Sequence, residues 1–246
     1  MQDLSRPHDN RLLAALGQAD ALRLQPYLER VFLTRNQPIY TPGETMSHAY
    51  FPTTLLASLM HITQDGDCAE SALVGNDGML GLCLFMSDGL ACDSASALTA
   101  GEAFRIPAAI LRKEFNRAGA TMRVLLRYTQ VQMTQTAQRA ICTRRHLITQ
   151  QVALCLLQQA DHASSTEVLM TQEQIALRLG VRREGVTEGA GLLQKLGLIR
   201  YARGHIEVLD REGLEEQACE CYAVLRNEYQ RLLPVQTGKP CLLAAA

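Results

Sequence analysis

The sequence predicts an α+β chain in three successive parts: an N-terminal β-roll, a long helix suited to dimerisation, and a C-terminal winged helix-turn-helix. Between Glu29 and Ile106, short apolar segments alternate with turn signals such as Pro42-Gly43, Asp65-Gly66-Asp67 and Gly75-Asn76-Asp77-Gly78, the texture of a roll or barrel. From Met122 to Ala140, apolar, small and polar positions recur at helical spacing without a turn signal. From Thr171 to Val208, two short amphipathic helices meet at a glycine and precede a hairpin with a basic tip. The expected boundaries are 1–117 for the roll and its preceding helices, 118–145 for the dimerisation helix, 146–233 for the winged helix-turn-helix and 234–246 for a mobile tail.

Composition narrows the classes. A chain of 246 residues has room for ordinary buried cores. Its formal net charge of -1 gives no overall basicity. Between Arg112 and His146, however, eight basic side chains face the single acid Glu114, a local excess of seven positive charges. No apolar run approaches the roughly 18 to 20 residues of a membrane span, and the first residues lack a secretory apolar stretch. A cytoplasmic protein with no membrane partner is expected. The eight cysteines are scattered in a chain too long to need disulfide staples, and most are expected to act as small buried hydrophobes.

In order, Leu12, Leu13, Leu16, Leu22, Leu24 and Leu28 suggest two short packing helices. In the roll, Leu55 to Thr63 and Cys68 to Val74 form the clearest hairpin, joined through Asp65-Gly66. Pro107 suits the first turn of a short helix that continues from Ala108 to Asn116. In the long helix that follows, Met122, Leu126, Thr129, Met133, Thr136 and Ala140 are spaced 4, 3, 4, 3, 4, the repeat of a two-helix seam and hence the expected dimer axis. Packing of this helix on its own domain is the alternative. A helix from Leu147 to Ala160, a loop from Asp161 to Glu167 and a single final helix from Arg211 to Leu233 complete the order.

The helix-turn-helix carries the functional reading. Thr171 and Gln174 have the spacing of a capping box. Ile175, Ala176 and Leu179 share a face, and Gly180 permits a left-handed C-terminal turn. Arg182-Arg183 opens the second helix, in which Val186, Ala190 and Leu193 are the apolar positions. Its outward face offers Arg182, Arg183, Glu184, Thr187, Glu188 and Lys195, able to reach phosphates and base edges in a major groove. Thr171, Gln172 and the hairpin-tip residue Arg203 complete the expected DNA contacts. Glycines 185, 189 and 191 weaken this helix and suggest close approach to a neighbour.

With this order, the chain resembles Crp/Fnr-superfamily transcription regulators from about Leu12 to Leu233. The most specific parts are Gly78-Met79-Leu80-Gly81-Leu82 and the run from Leu179 to Thr187. The resemblance implies a cyclic-nucleotide-binding-like roll, a homodimer on a palindromic operator, and RNA polymerase as a partner. It places Arg183 and Glu184 where members read bases, with Thr187 and Glu188 one turn on. Relatives often carry arginine at the position of Glu188, so their half-site is not expected here.

The roll departs from the cyclic-nucleotide branch. Met79 stands where that branch has a ribose-binding glutamate, and no arginine occurs from Gly78 to Gly101 to hold a phosphate. Asp88 and Asp93 would repel one. Cyclic AMP and cyclic GMP are therefore not expected as ligands. Met79, Leu80, Leu82 and Cys83 are candidates for lining an effector pocket, with core packing as the competing use. No cofactor is predicted, although haem ligation by His48, His61, Cys68 or Cys83 stays open. An iron-sulfur cluster like that of the Fnr branch is disfavoured because no cysteine precedes Cys68. Cys219 and Cys221, two apart on the expected final helix, would point in separate directions, so no metal site is predicted.

The sequence shows no nucleophile elbow, phosphate loop, His-Glu metal motif or catalytic acid pair, and no catalytic residue is assigned. The reading is a DNA-binding regulator rather than an enzyme. The competing class is a small-molecule-binding regulatory module whose C-terminal domain docks proteins instead of DNA.

Overall fold

A computed structural model describes residues 5–163, 166–202 and 204–233. The expected tail, 234–246, lies outside them. The described residues fall into two units: one takes those up to 60, 72–133 and those from 229 onward, and the other takes 61–71 and 134–228. Among the described residues, no helix is long and apolar enough to cross a membrane.

The first unit begins with α1 (Arg11–Ala14) and α2 (Gln18–Leu24). Asn10 caps α1, accepting from the backbone N–H groups of Leu12 and Leu13, while its amide donates to the carbonyls of Pro52 and Gly78 at 2.8 Å. Seven strands follow: β1 (Glu29–Leu33), β2 (Pro38–Tyr40), β3 (His48–Pro52), β4 (Ala57–Ile62), β5 (Cys68–Val74), β6 (Ser94–Ala97) and β7 (Gly101–Pro107). They form two sheets in the orders β1-β7-β3 and β2-β6-β4-β5. In the first, Val31 and Ala103, and Ala49 and Ile106, are antiparallel partners.

A short α3 (Cys83–Met86) interrupts the roll, and α4 (Ala108–Phe115) follows β7. Pro107 is the last residue of β7 and the N-cap of α4, rather than part of the helix's first turn. Leu12, Phe51, Leu80, Leu84, Ile106 and Tyr128 are among the buried side chains of the unit's core. Tyr128 belongs to the long helix α5 (Ala120–Arg145). Residues up to 133 cluster with the first unit and those from 134 with the second.

The second unit contains α6 (Ile148–Ala163), β8 (Glu167–Leu169), α7 (Gln172–Leu179), α8 (Arg183–Lys195), β9 (Ile199–Ala202), β10 (His205–Val208), α9 (Arg211–Gln217) and most of α10 (Cys221–Leu232). Three strands pair in the order β8-β10-β9. The strand β8 begins at Glu167, the last residue of the expected 161–167 loop, and was not foreseen. Val168 is its buried residue, opposite Ile206, and three residues are too few to show periodicity in sequence.

The expected single final helix is two helices. The backbone leaves helical geometry at Ala218 (φ -73°, ψ 157°), and α10 restarts at Cys221. A continuous helix would send side chains two positions apart in directions differing by about 200°. The break instead allows both Cys219 and Cys221 to be buried. The residues from Ala218 to Glu220 contain neither glycine nor proline, so the interruption left no local signal.

Candidate nucleic-acid interface

The reader is assembled from local rules. Thr171 caps α7 by accepting from Gln174 N–H at 3.2 Å, and Gln174 Oε1 accepts from Thr171 N–H at 3.0 Å, the reciprocal capping box expected from sequence. Gly180 ends α7 at φ 65°, a left-handed conformation that a side chain would strain. Val181 N–H then bonds to Ala176 C=O at 3.0 Å, closing the turn before α8.

Helix α8 buries Val186, Gly189, Ala190 and Leu193. Two of its glycines permit close packing on α6: a Cβ at Gly185 would come within 2.6 Å of Ile148 Cδ1, and one at Gly189 within 3.3 Å of Thr149 Cα. Gly191 has no neighbour within 4 Å of such a Cβ, so close approach does not account for it.

The opposite edge of α8 is open. Arg182, Arg183, Glu184, Thr187, Glu188 and Lys195 are all exposed. The single Thr187 hydroxyl proton has two acceptors within reach, Arg183 C=O at 3.1 Å and Gln172 Oε1 at 2.7 Å, the nearer of which ties α8 to the start of α7. Arg183 stands 4.0 Å from Glu173, and both side chains are well exposed. Such a pair contributes little to stability and can be exchanged for a phosphate or base. Arg182 is the N-cap residue, with α8 running from Arg183 to Lys195.

The expected wing forms: Ile206 pairs with Tyr201 and Val208 with Ile199. Gly204 has φ 85°, and a Cβ there would lie 3.3 Å from Thr171 Cγ2. The wing tip thus sits beside the N-cap of α7. Arg203 lies outside the described residues. Arg200 and Glu207 are cross-strand partners joined at 2.9 Å, and Gln194 of α8 accepts from Tyr201 N–H at 2.9 Å.

Arg178, only five positions before Arg183, has the opposite fate. It is buried, and donates to Glu70 through Nε at 2.8 Å and Nη2 at 2.9 Å, and to Gln159 Oε1 at 2.9 Å. Arg139 donates to the same Glu70 at 2.5 Å. Burial works against the Arg178 charge, but the Glu70 carboxylate that it grips with two nitrogens outweighs this and holds the guanidinium above its usual pKa. Glu70 comes from the β4–β5 hairpin, whose residues 61–71 belong to this unit. Sequence reasoning missed this cluster because its members are 108 and 69 positions apart.

The seam positions of α5 divide. Leu126 and Met133 are 47% and 61% exposed, and Thr136 and Ala140 are exposed too. Met122 is half-buried. Thr129 is buried, donating to Leu125 C=O at 3.0 Å. Of the pocket candidates, Met79 and Leu80 are buried in the core, while Leu82 and Cys83 pack against it half-buried. Tyr128 Oη donates to Met79 C=O at 3.0 Å and accepts from Gln132 at 2.7 Å. Tyr128 thus holds the backbone at Met79, whose side chain is buried.

Residues 150–217 match the family model of the Crp-like helix-turn-helix domain. The C-terminal unit carries a Crp-like helix-turn-helix. Solved structures extend the likeness to the whole fold. FixK2 from Bradyrhizobium japonicum is 17% identical, with 78% of this chain and 98% of that one covered and a TM-score of 0.68. A Crp/Fnr-family transcriptional regulator from Eubacterium rectale is 19% identical, with 85% and 98% covered and a TM-score of 0.68. A Crp/Fnr-family regulator from Thermus thermophilus is 23% identical, with 77% and 98% covered and a TM-score of 0.65. Comparison with curated proteins finds no match. The Crp/Fnr resemblance read from the sequence thus holds, in the Crp-like domain and in the fold around it.

Proposed function

We propose that this chain is a sequence-specific transcription regulator that acts in the cytoplasm as a homodimer on a palindromic operator. The observation that carries the reading is the split character of α8 inside a Crp-like helix-turn-helix. One side is sealed by Val186, Ala190 and Leu193, while Arg182, Arg183, Glu184, Thr187, Glu188 and Lys195 are presented outward. A helix so mounted fits the major groove, with its first residues at base edges. Thr171 and Gln172 supply further contacts beside it, and Arg203 takes the wing tip to the phosphates.

Two readers on a palindrome stand about 34 Å apart. The exposed apolar side chains Leu126, Met133 and Ile141 of α5 support a dimer seam. RNA polymerase is the partner through which a bound dimer changes transcription. The roll does not use a cyclic mononucleotide: Met79 is buried, with its carbonyl held by Tyr128, and no cation occurs between Gly78 and Gly101.

The test is salt-dependent binding to operator duplexes selected from genomic DNA, because phosphate neutralisation releases counterions and protein docking does not. Affinity should be the same with and without cyclic AMP. Arg183→Ala should weaken operator binding by about 1 to 3 kcal/mol and relax preference at one position. Unchanged affinity and sequence preference in that variant reject the role of Arg183, and a monomer indifferent to duplex DNA at low salt rejects the whole reading.

A further inference from the structure

We propose that Cys142, His146, Cys219 and Cys221 form a structural site for one zinc(II)-class ion in the second unit. Their donor atoms all lie within 4.8 Å of one another. Cys142 Sγ is 3.5 Å from Cys219 Sγ, and Cys221 Sγ is 3.6 Å from His146 Nδ1. With Zn–S bonds of about 2.3 Å, the edge of a tetrahedron of thiolates is about 3.8 Å. These two pairs are near that edge, and no pair needs to draw in by more than about 1 Å.

The placement is structural in origin. Cys142 and His146 are one helical turn apart at the end of α5, and His146 N–H bonds to Cys142 C=O at 3.1 Å. Cys219 lies in the break between α9 and α10, and Cys221 opens α10. A single spacer between two cysteines is tighter than in most zinc sites, but it is workable here because the pair does not share a helix.

The surroundings supply a second, independent observation. His146 Nε2 lies 3.1 Å from Glu220 Oε1, leaving Nδ1 toward the thiols. A carboxylate holding one ring nitrogen while the other faces the ion is the common support for a metal-bound histidine. Cys142, Cys219 and Cys221 are buried and the His146 side chain is 12% exposed, so water is largely excluded.

Three thiolates and an imidazole are the soft donor set that selects zinc over calcium or magnesium. Four protein ligands leave no open position, so the site is structural rather than catalytic. The donors are too close together to hold separate irons of a cluster, and binding involves no electron transfer: each thiol passes its proton to solvent as its bond to the metal forms. The ion would fasten the α9–α10 break to the end of α5, the point from which the chain enters the helix-turn-helix.

The test uses the full-length chain, purified under reductant without chelator. Elemental analysis should find one zinc per chain. After chelator stripping, Co(II) titration should give the intense visible bands of tetrahedral cobalt and thiolate charge transfer, saturating at one equivalent and displaced by Zn(II). Cys219→Ser and His146→Ala should lose or shift these bands, whereas Cys92→Ser, at an exposed cysteine outside the cluster, should keep them. The wild-type cobalt spectrum is decisive even if a variant fails to fold. Only the weak spectrum of hydrated Co(II), or saturation unaffected by both ligand variants, overturns the proposal.

Discussion

The interiors of the two units are built differently. In the roll unit, Leu12, Leu80, Leu84, Ile106 and Tyr128 close a core of apolar packing, and Asn10 enters it with each amide atom engaged. The helix-turn-helix unit also buries hydrocarbon, including Val152, Leu156, Ile175 and Leu193, but whereas the buried acids Asp20 and Glu114 of the roll unit share the partly exposed Arg23, here both signs of charge are buried together. Glu70 there has no exposed side-chain surface and accepts from both Arg178 and Arg139. A hydrocarbon interior tolerates the loss of one member in proportion to the cavity left behind. A buried ionic cluster does not, because removing one partner strands the others in a medium that solvates them poorly.

Breaking that contrast most directly, Glu70→Ala should lower stability by about 3 to 5 kcal/mol, read as a fall in the denaturant midpoint. Replacing the three charged residues together by leucine or methionine should recover most of the loss, since a well-packed apolar substitute avoids the desolvation cost. If Glu70→Ala costs no more than a surface change, the cluster is not an isolated charge system. In the roll unit, Asn10→Ala removes a helix cap and two donors to buried carbonyls, and should cost about 1 to 3 kcal/mol in the same assay. At the surface of the second unit, Thr171→Ala removes only one side of a capping box and should cost about 1 kcal/mol. A Thr171→Ala effect as large as that of Glu70→Ala would mean that exposed caps, not buried charge, hold this unit together.

How far the sequence foretold each feature follows the range of the interactions that make it. The α7–α8 turn was legible because Thr171, Gln174 and Gly180 act within a few residues of themselves, and their bonds formed as expected. The wing strands were legible as two short runs, 199–201 and 205–208, around Arg203-Gly204. Arg178 was not: nothing local distinguishes it from Arg183, and only a carboxylate 108 positions away decides that it turns inward. The burial of Thr129 on α5 was not legible from its spacing either. The end of α9 was hidden for a related reason, because the burial of Cys219 and Cys221 is settled by tertiary packing at a stretch whose composition continues a helix.

The hairpin tip at 61–71 belongs by its packing to one unit, while the chain on either side of it belongs to the other. Neither unit is therefore a continuous piece of polypeptide. An excised fragment beginning at 134 would keep Arg178 and Arg139 but leave Glu70 behind, so the DNA reader cannot be cut out at a single site without exposing two uncompensated guanidinium groups in its interior.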